Sequence, residues 1–327
     1  MPSDVWQEIQ SDFLVAVGPS VARDDELKRI LLALEEIEVP VVLLKGAALA
    51  LTVYPYPVLR LMGDLDLWIP QECVEAAKAA LASSGYVSRA GEARPQPLQD
   101  ALDGETQMIG QRPQTGLVEL HWRIFAGEWV RYAARIDEAA IWERKIRLDE
   151  LPAYHLAPED AILHTCLHFA VNHQFAGLGL RPFLDLAMMV QNWTVPWEVV
   201  VGRARAWQVS TPTWLVLDLL GKFSAEMQDQ LPIRALRPSR LRRWILGRFV
   251  SPQSLIERRD IRQSLLRFVF LLLLVDRPVD AARLVLRSVF PDRQWFVLRY
   301  QLEDASNLRI WLQRLWHPIR TLLHART

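Results

Sequence analysis

From Asp24 to Glu38 the apolar positions Leu27, Ile30, Leu31 and Leu34 recur three and four residues apart with charges between them, which predicts an amphipathic helix. Pro40 ends it, and the unbroken apolar run Val41 to Leu44 predicts a buried strand. Lys45-Gly46 then leads into a short helix over Ala47 to Val53. A Pro-rich turn, Tyr54-Pro55-Tyr56-Pro57, separates that helix from a second strand, Leu65 to Ile69. Gln71 to Ser84 predicts a helix closed by Gly85. Ser88 to Gly104, rich in Ala, Pro and charge, predicts a surface loop. Two more strands follow, Thr106 to Gly110 and Leu117 to Arg123, on either side of a hairpin turn at Gln111 to Gly116.

Beyond Pro158 the period becomes helical throughout. Glu159 to Val171, Arg181 to Asn192, Trp197 to Trp207 and Thr213 to Phe223 carry apolar residues three and four apart, and segments near 239–250, 260–275, 278–289 and 303–324 continue the pattern. No fixed-length repeat is present, which argues against a solenoid. The expected fold is therefore α+β: an N-terminal domain with a mixed sheet over residues 1–155, then an all-helical domain over 156–327.

A length of 327 residues accommodates two domains, and 51% hydrophobic with 23% charged residues excludes a disordered chain. The longest apolar run, Phe268 to Val275, is far shorter than the roughly 20 residues of a membrane-spanning helix. The N-terminus, Met1-Pro2-Ser3-Asp4, lacks a basic region followed by an apolar core, so a cytoplasmic protein without membrane insertion is expected. Cys73 and Cys166 show no CxxC spacing and are expected as small core residues in a reducing compartment. Zero net charge conceals an asymmetry: residues 1–233 hold 19 basic and 31 acidic side chains, and residues 234–327 hold 19 arginines and 7 acids. Such a split suggests an anionic partner, or two parts that complement each other.

The sharpest chemical signal is Gly63-Asp64-Leu65-Asp66-Leu67-Trp68. On a strand, residues two apart share a face about 6.6 Å apart, so Asp64 and Asp66 present paired carboxylates while Leu65 and Leu67 face a core. Carboxylates alternating with core residues need a compensating cation, and hard oxygen ligands at this spacing suit Mg²⁺ with substrate phosphates completing the shell. Upstream, Lys45-Gly46 sits where a strand turns into a helix, a place where a phosphate can meet backbone amides; a plain turn glycine is the alternative. Downstream, Glu119 and His121 share one face of Leu117-Val118-Glu119-Leu120-His121-Trp122, as a third metal-binding carboxylate and its neighbour or as a solvated Glu and a structural His. Arg60 is placed to meet a phosphate or to pair with one of the aspartates.

In LLKG, RLMGDLDLW and VELHW taken together, the sequence resembles a large bacterial nucleotidyltransferase family of the DNA polymerase β-like superfamily, some members of which neighbour lasso-peptide or surface-polysaccharide biosynthesis genes. The resemblance continues in His164-x-x-x-His168, LRPFLDLAMMV at 180–190, Trp197, SVFPD at 288–292 and Tyr300. It implies a mixed sheet carrying two metal-binding aspartates, which map onto Asp64 and Asp66, and a third acid, which maps onto Glu119. The superfamily's Gly-Ser at the first motif helix is replaced by Lys45-Gly46-Ala47, so no Ser hydroxyl is present there to hold a phosphate.

The implied activity is Mg²⁺-dependent transfer of a nucleoside monophosphate from an NTP such as ATP to an acceptor hydroxyl or phosphate, with two Mg²⁺ ions and release of pyrophosphate. Asp64, Asp66 and Glu119 are the expected catalytic and metal-binding residues; Lys45, Gly46, Ala47, Arg60 and His121 are the expected nucleotide-binding ones. The acceptor is expected to be a small molecule or peptide, in natural-product or surface-polymer biosynthesis. Two other readings stand beside this one. The arginine-rich end, with Arg234, Arg237, Arg240, Arg242, Arg243, Arg258, Arg259 and Arg262, suits an RNA or tRNA acceptor as in toxin-like relatives. A non-catalytic nucleotide- or partner-binding protein on the same fold is the other. His164, His168 and His173 lack the remaining ligands of a known metal motif and are expected to be buried at the domain junction. The sequence leaves the oligomeric state unspecified.

Overall fold

The computed structural model describes residues 3–89, 104–113, 115–263 and 266–300, with short pieces between 302 and 316. The expected surface loop at 88–104 and helix at 303–324 lie mostly outside the described residues. The chain opens with helix α1 (Ser3–Glu35), which extends well upstream of the periodic segment read from the sequence. Strand β1 (Val42–Leu43) runs into α2 (Lys45–Thr52), and β2 (Asp64–Trp68) into α3 (Val74–Ser83). Strands β3 (Tyr86–Ser88), β4 (Glu105–Gly110) and β5 (Leu117–His121) follow, then α4 (Glu128–Ala133) and α5 (Glu138–Glu143). Two strands of two residues each, β6 (Ile146–Arg147) and β7 (Tyr154–His155), complete the sheet. β3, β6 and β7 are too short to show a period of two, so no alternation marks them in the sequence.

The sheet has seven strands in the order β3-β4-β5-β2-β1-β7-β6. It is mixed: β2 runs parallel to β5 and β1 parallel to β7, while β1 with β2, β3 with β4, β4 with β5 and β6 with β7 are antiparallel. The β4–β5 pair confirms the hairpin expected at Gln111 to Gly116.

Period-two alternation sends each strand's side chains to two different layers. Leu43, Leu65, Leu67, Val118 and Leu120 pack on one face against Leu27, Leu31 and Leu34 of α1 and against Ala77 and Leu81 of α3. Val42 and Trp68 point the other way and join the core of the helical region, which includes Phe169, Leu186 and Val216. Full burial of each such side chain contributes about 1.5–3 kcal/mol before conformational entropy is subtracted. The carboxylates of β2 and β5 lie on this second face, between sheet and helices.

That helical region begins with α6 (Pro158–Leu167), continues through a π-helical turn (His168–Asn172), and then forms α7 (Arg181–Asn192), α8 (Trp197–Ala206) and α9 (Ser210–Phe223). The short α10 (Ala225–Gln228) precedes α11 (Arg240–Phe249) and α12 (Pro252–Ile256). α13 (Arg267–Leu273), α14 (Pro278–Val289) and α15 (Arg293–Tyr300) follow. The single helix expected at 260–275 is instead a short 3₁₀ turn at Ile261–Gln263 followed by α13.

One buried side chain of α1 fixes the relation between the two central strands. Arg23 Nη2 donates to Gly63 O at 3.0 Å and to Leu117 O at 2.8 Å, joining the residues where β2 and β5 begin. Its Nη1 pairs with buried Glu26, which also accepts from Tyr86 Oη and the Gly116 amide. This brace acts on the backbone that carries Asp64, Asp66 and Glu119.

Candidate active site between sheet and helices

The parallel register of β2 and β5 sets Asp66 opposite Glu119, and the antiparallel register of β4 and β5 sets Glu105 opposite His121 and Gln107 opposite Glu119. Polar side chains from three adjacent strands therefore converge on one patch of the buried face. Asp66 is 2% and His121 5% exposed. His121 Nε2 lies 2.9 Å from Asp66 Oδ1 and 3.6 Å from Glu119 Oε2, while its Nδ1 lies 3.3 Å from Glu105 Oε2. Gln107 Nε2 donates to Glu119 Oε1 at 2.7 Å, leaving Oε2 turned toward the centre.

Lys45 closes the patch from the β1–α2 junction. Its Nζ donates to Asp66 Oδ1 at 2.6 Å and lies 4.0 Å from Glu119 Oε2. The Lys45 backbone has φ of 46°, a left-handed conformation that a side chain normally avoids and that tends to be kept where function demands it. Gly46 follows for a local reason: a Cβ there would come within 3.2 Å of Arg60 Nη1 and Met62 Cγ. The glycine thus makes room for Arg60 and Met62, and it also lines the cavity described below. Ala47 is buried in the core against α1 and does not line the cavity described below.

These contacts set the protonation states. Burial opposes charge on Asp66, yet Lys45 and His121 hold its carboxyl well below the usual range. Burial likewise opposes charge on His121, and Asp66, Glu105 and Glu119 overcome it, raising the imidazole well above its ordinary value. Against the pull of burial, Asp66 and Glu119 push Lys45 up to about 12. Glu119 moves upward through burial and the nearby Asp66 charge, and Asp64 moves upward for the same two reasons. The centre is thus an acid cluster offset in part by an ammonium and an imidazolium.

Above this floor opens a cavity of about 320 Å³. Its sheet side is formed by Lys45, Gly46, Asp64, Asp66, Glu105 and Glu119, and its helical side includes His168, Asn172, His173, Arg181 and Asp185. Asp66, Glu119 and His121 can each present a ligand atom within 4.8 Å of the others, a set able to hold a cation. Asp64 lines the same cavity, half-buried, but is not part of that tight group.

Arg60 does not meet either aspartate of β2. Its Nε and Nη2 donate to the two carboxylate oxygens of Asp185 on α7 at 2.7 and 2.9 Å, and Nη1 donates to Leu61 O. Tyr54 Oη adds a third bond to Asp185 at 2.7 Å. The fork of Arg60 thus ties the loop before β2 to the helical region. Asp185, Glu105 and Gln107 were not singled out from the sequence. Period-two spacing puts Glu105 and Gln107 on one face of a strand, and LRPFLDL holds Asp185 at a buried helical position, but only the tertiary pairing shows what each meets.

His164, His168 and His173 are brought together beside this cavity. His164 and His168 stack with ring centroids 5.9 Å apart, and His168 meets His173 edge-on at 4.5 Å. Burial holds all three imidazoles down, His164 to about 3 and His173 to about 4, so they are neutral near pH 7. Several arginines near the C-terminus bind neighbouring groups. Asp280 accepts from Arg283 and from Arg135, Arg242 donates to Val275 O, and Arg262 pairs with Asp260. Cys166 is buried and Cys73 half-buried, both as free thiols. No helix among the described residues is long and apolar enough to cross a membrane.

Among solved structures, an antigenic nucleotidyltransferase-like protein from Paracoccidioides brasiliensis is similar at 18% identity, over 65% of this chain and 92% of that one, with a TM-score of 0.39. No curated protein matches the chain. Residues 1–224, which span the whole sheet, the acid cluster and the helical wall of the cavity, match the family model described as uncharacterised nucleotidyltransferase. The chain belongs to that nucleotidyltransferase family.

Proposed function

We propose that this protein transfers a nucleoside monophosphate from an NTP to an acceptor hydroxyl or phosphate, releasing pyrophosphate. The observation that carries this reading is the placement of Asp66 opposite Glu119 on adjacent parallel strands, at the floor of a cavity that Asp64 also lines. Carboxylate oxygens form a donor set compatible with divalent metal, and we assign Asp64, Asp66 and Glu119 to two Mg²⁺ ions, with His121 holding Asp66 rather than the metal. Bound Mg²⁺ supplies charge neutralisation for the triphosphate and the departing pyrophosphate.

The chain's own residues do the rest. Asp66 is held ionised by Lys45 and His121, so it is ready to bind a cation without first losing a proton. Lys45, set at the cavity floor beside Asp66, would offer an ammonium to a phosphate bound there. Glu119 has its carboxyl raised by burial and by Asp66, which suits it to accept the proton of an attacking hydroxyl. Gln107, holding Oε1, leaves Oε2 for that task. As the new bond to the α-phosphorus forms, the bond from that phosphorus to the bridging oxygen of the β-phosphate breaks, and pyrophosphate carries the electron pair away. Positioning and charge supply most of the acceleration in such a transfer.

The acceptor we favour is a small molecule or peptide. A cavity of about 320 Å³ is of the size of small-molecule sites, and several arginines of the basic C-terminal part bind carboxylates and carbonyls inside the helical region. The experiment is incubation of the full chain with each α-labelled NTP, Mg²⁺ and a cell extract, followed by identification of the labelled product. Label in a small molecule or peptide supports this acceptor class, label in RNA replaces it, and no label with any NTP counts against transfer.

A further inference from the structure

Three cationic side chains line the cavity, and two of them are already engaged. Lys45 is bound to Asp66, and Arg60 to both oxygens of Asp185 and to Leu61 O. The third, Arg181, is exposed and has no hydrogen-bond or ion-pair partner among the described residues. It stands in the first turn of α7, and Asp185, one turn later on the same helix, is pinned by Arg60 and Tyr54. The backbone carrying Arg181 is therefore anchored to the sheet side of the cavity while the guanidinium itself is uncommitted.

The charge across the cavity is uneven. Asp64, Asp66, Glu105 and Glu119 outnumber Lys45 and His121 and leave the sheet side anionic, whereas the helical side offers neutral His168 and His173, Asn172, Asp185 already paired with Arg60, and the unpaired positive charge of Arg181. A triphosphate whose α-phosphate meets the acid floor must place its terminal phosphates where repulsion from those carboxylates is least. A planar guanidinium with five donors matches phosphate oxygens there.

Building on the nucleotidyl-transfer reading, we propose that Arg181 binds the β- and γ-phosphates of the NTP, so that the helical region supplies the grip on the leaving pyrophosphate. Arg60, four residues before Asp64, has a different task, holding α7 in place.

Inorganic tripolyphosphate with Mg²⁺ is the base-independent probe, titrated calorimetrically into the full chain alongside the four NTPs and their monophosphates. Arg181→Gln is expected to weaken tripolyphosphate and NTP binding by at least about tenfold, the worth of a charge-assisted contact, and to leave the monophosphates within about twofold. Arg181→Lys should fall between the two, and Arg248→Gln, which removes an exposed arginine packed on Trp244, should bind as the parent does. Equal tripolyphosphate affinity in the parent and Arg181→Gln, both with unchanged thermal melting, overturns the role of Arg181 and leaves nucleotide binding intact. A parent that binds neither tripolyphosphate nor any NTP overturns the nucleotidyl-transfer reading as well.

Discussion

Arg60 and Asp185, 125 residues apart in sequence, form a buried two-point ion pair that ties the loop before β2 to helix α7. Because each also borders the cavity, the pair couples the integrity of the site to the docking of the helical region.

Arg60→Met leaves the Asp185 carboxylate buried with only Tyr54 as a hydrogen-bond donor. Breaking one side of such a pair is expected to lower unfolding free energy by about 3–5 kcal/mol, read from urea unfolding. Arg60→Met with Asp185→Leu should recover much of that loss, because no uncompensated charge remains. A loss under about 1 kcal/mol in the single variant would show the pair to be solvent-screened.

Arg23 makes a comparable brace on the opposite face. Arg23→Met removes the donors to Gly63 O and Leu117 O and leaves the buried Glu26 carboxylate with Tyr86 Oη and the Gly116 amide but no cation. The expected result is a loss of about 3 kcal/mol or more in urea. Amide exchange in β2 and β5 should rise more than in α8, because the brace acts on the starts of those two strands.

Stability should fall in mild acid. Folded-state values for His164 and His173 lie near 3 and 4, below the ordinary imidazole value of 6.5, so the unfolded chain takes up protons first. Their contribution is complete above pH 6.5 and is lost as pH falls toward the folded values, with a slope of up to ~1.4 kcal/mol per pH unit for each histidine. Urea midpoints between pH 7 and 5 test this, and His164→Gln should flatten the decline by about one histidine's share.

Much of this architecture can be read from the sequence. The α+β class, the helical second part, β1, β2, β4 and β5, and the placement of Asp64, Asp66 and Glu119 on strands follow from periodicity. His121 also emerges from its place on the Glu119 face. What tertiary pairing alone supplies is the partner of each charge. Arg60 faces Asp185 rather than Asp64 or Asp66, since the loop before β2 packs on α7. Glu105 enters through strand register, which local sequence does not specify. The charge asymmetry is answered only in part by local pairs such as Arg262 with Asp260 and Arg283 with Asp280, because 7 acids face 19 arginines over residues 234–327.

Lys45→Met removes the ammonium that offsets the acid floor while leaving His121 on Asp66. Label transfer is expected to drop by about 100-fold or more, in line with the loss of one preorganised charge contact. The protein should still fold, as far-ultraviolet circular dichroism would show. Activity within about twofold of the parent would remove Lys45 from the reaction.

The most direct measurement is equilibrium binding of a labelled NTP to the full chain with Mg²⁺ or with chelator, comparing the parent with Asp64→Asn/Asp66→Asn at matched circular dichroism. The account predicts binding that needs Mg²⁺ and disappears in the double variant. Binding of equal strength in chelator and in the double variant would contradict it.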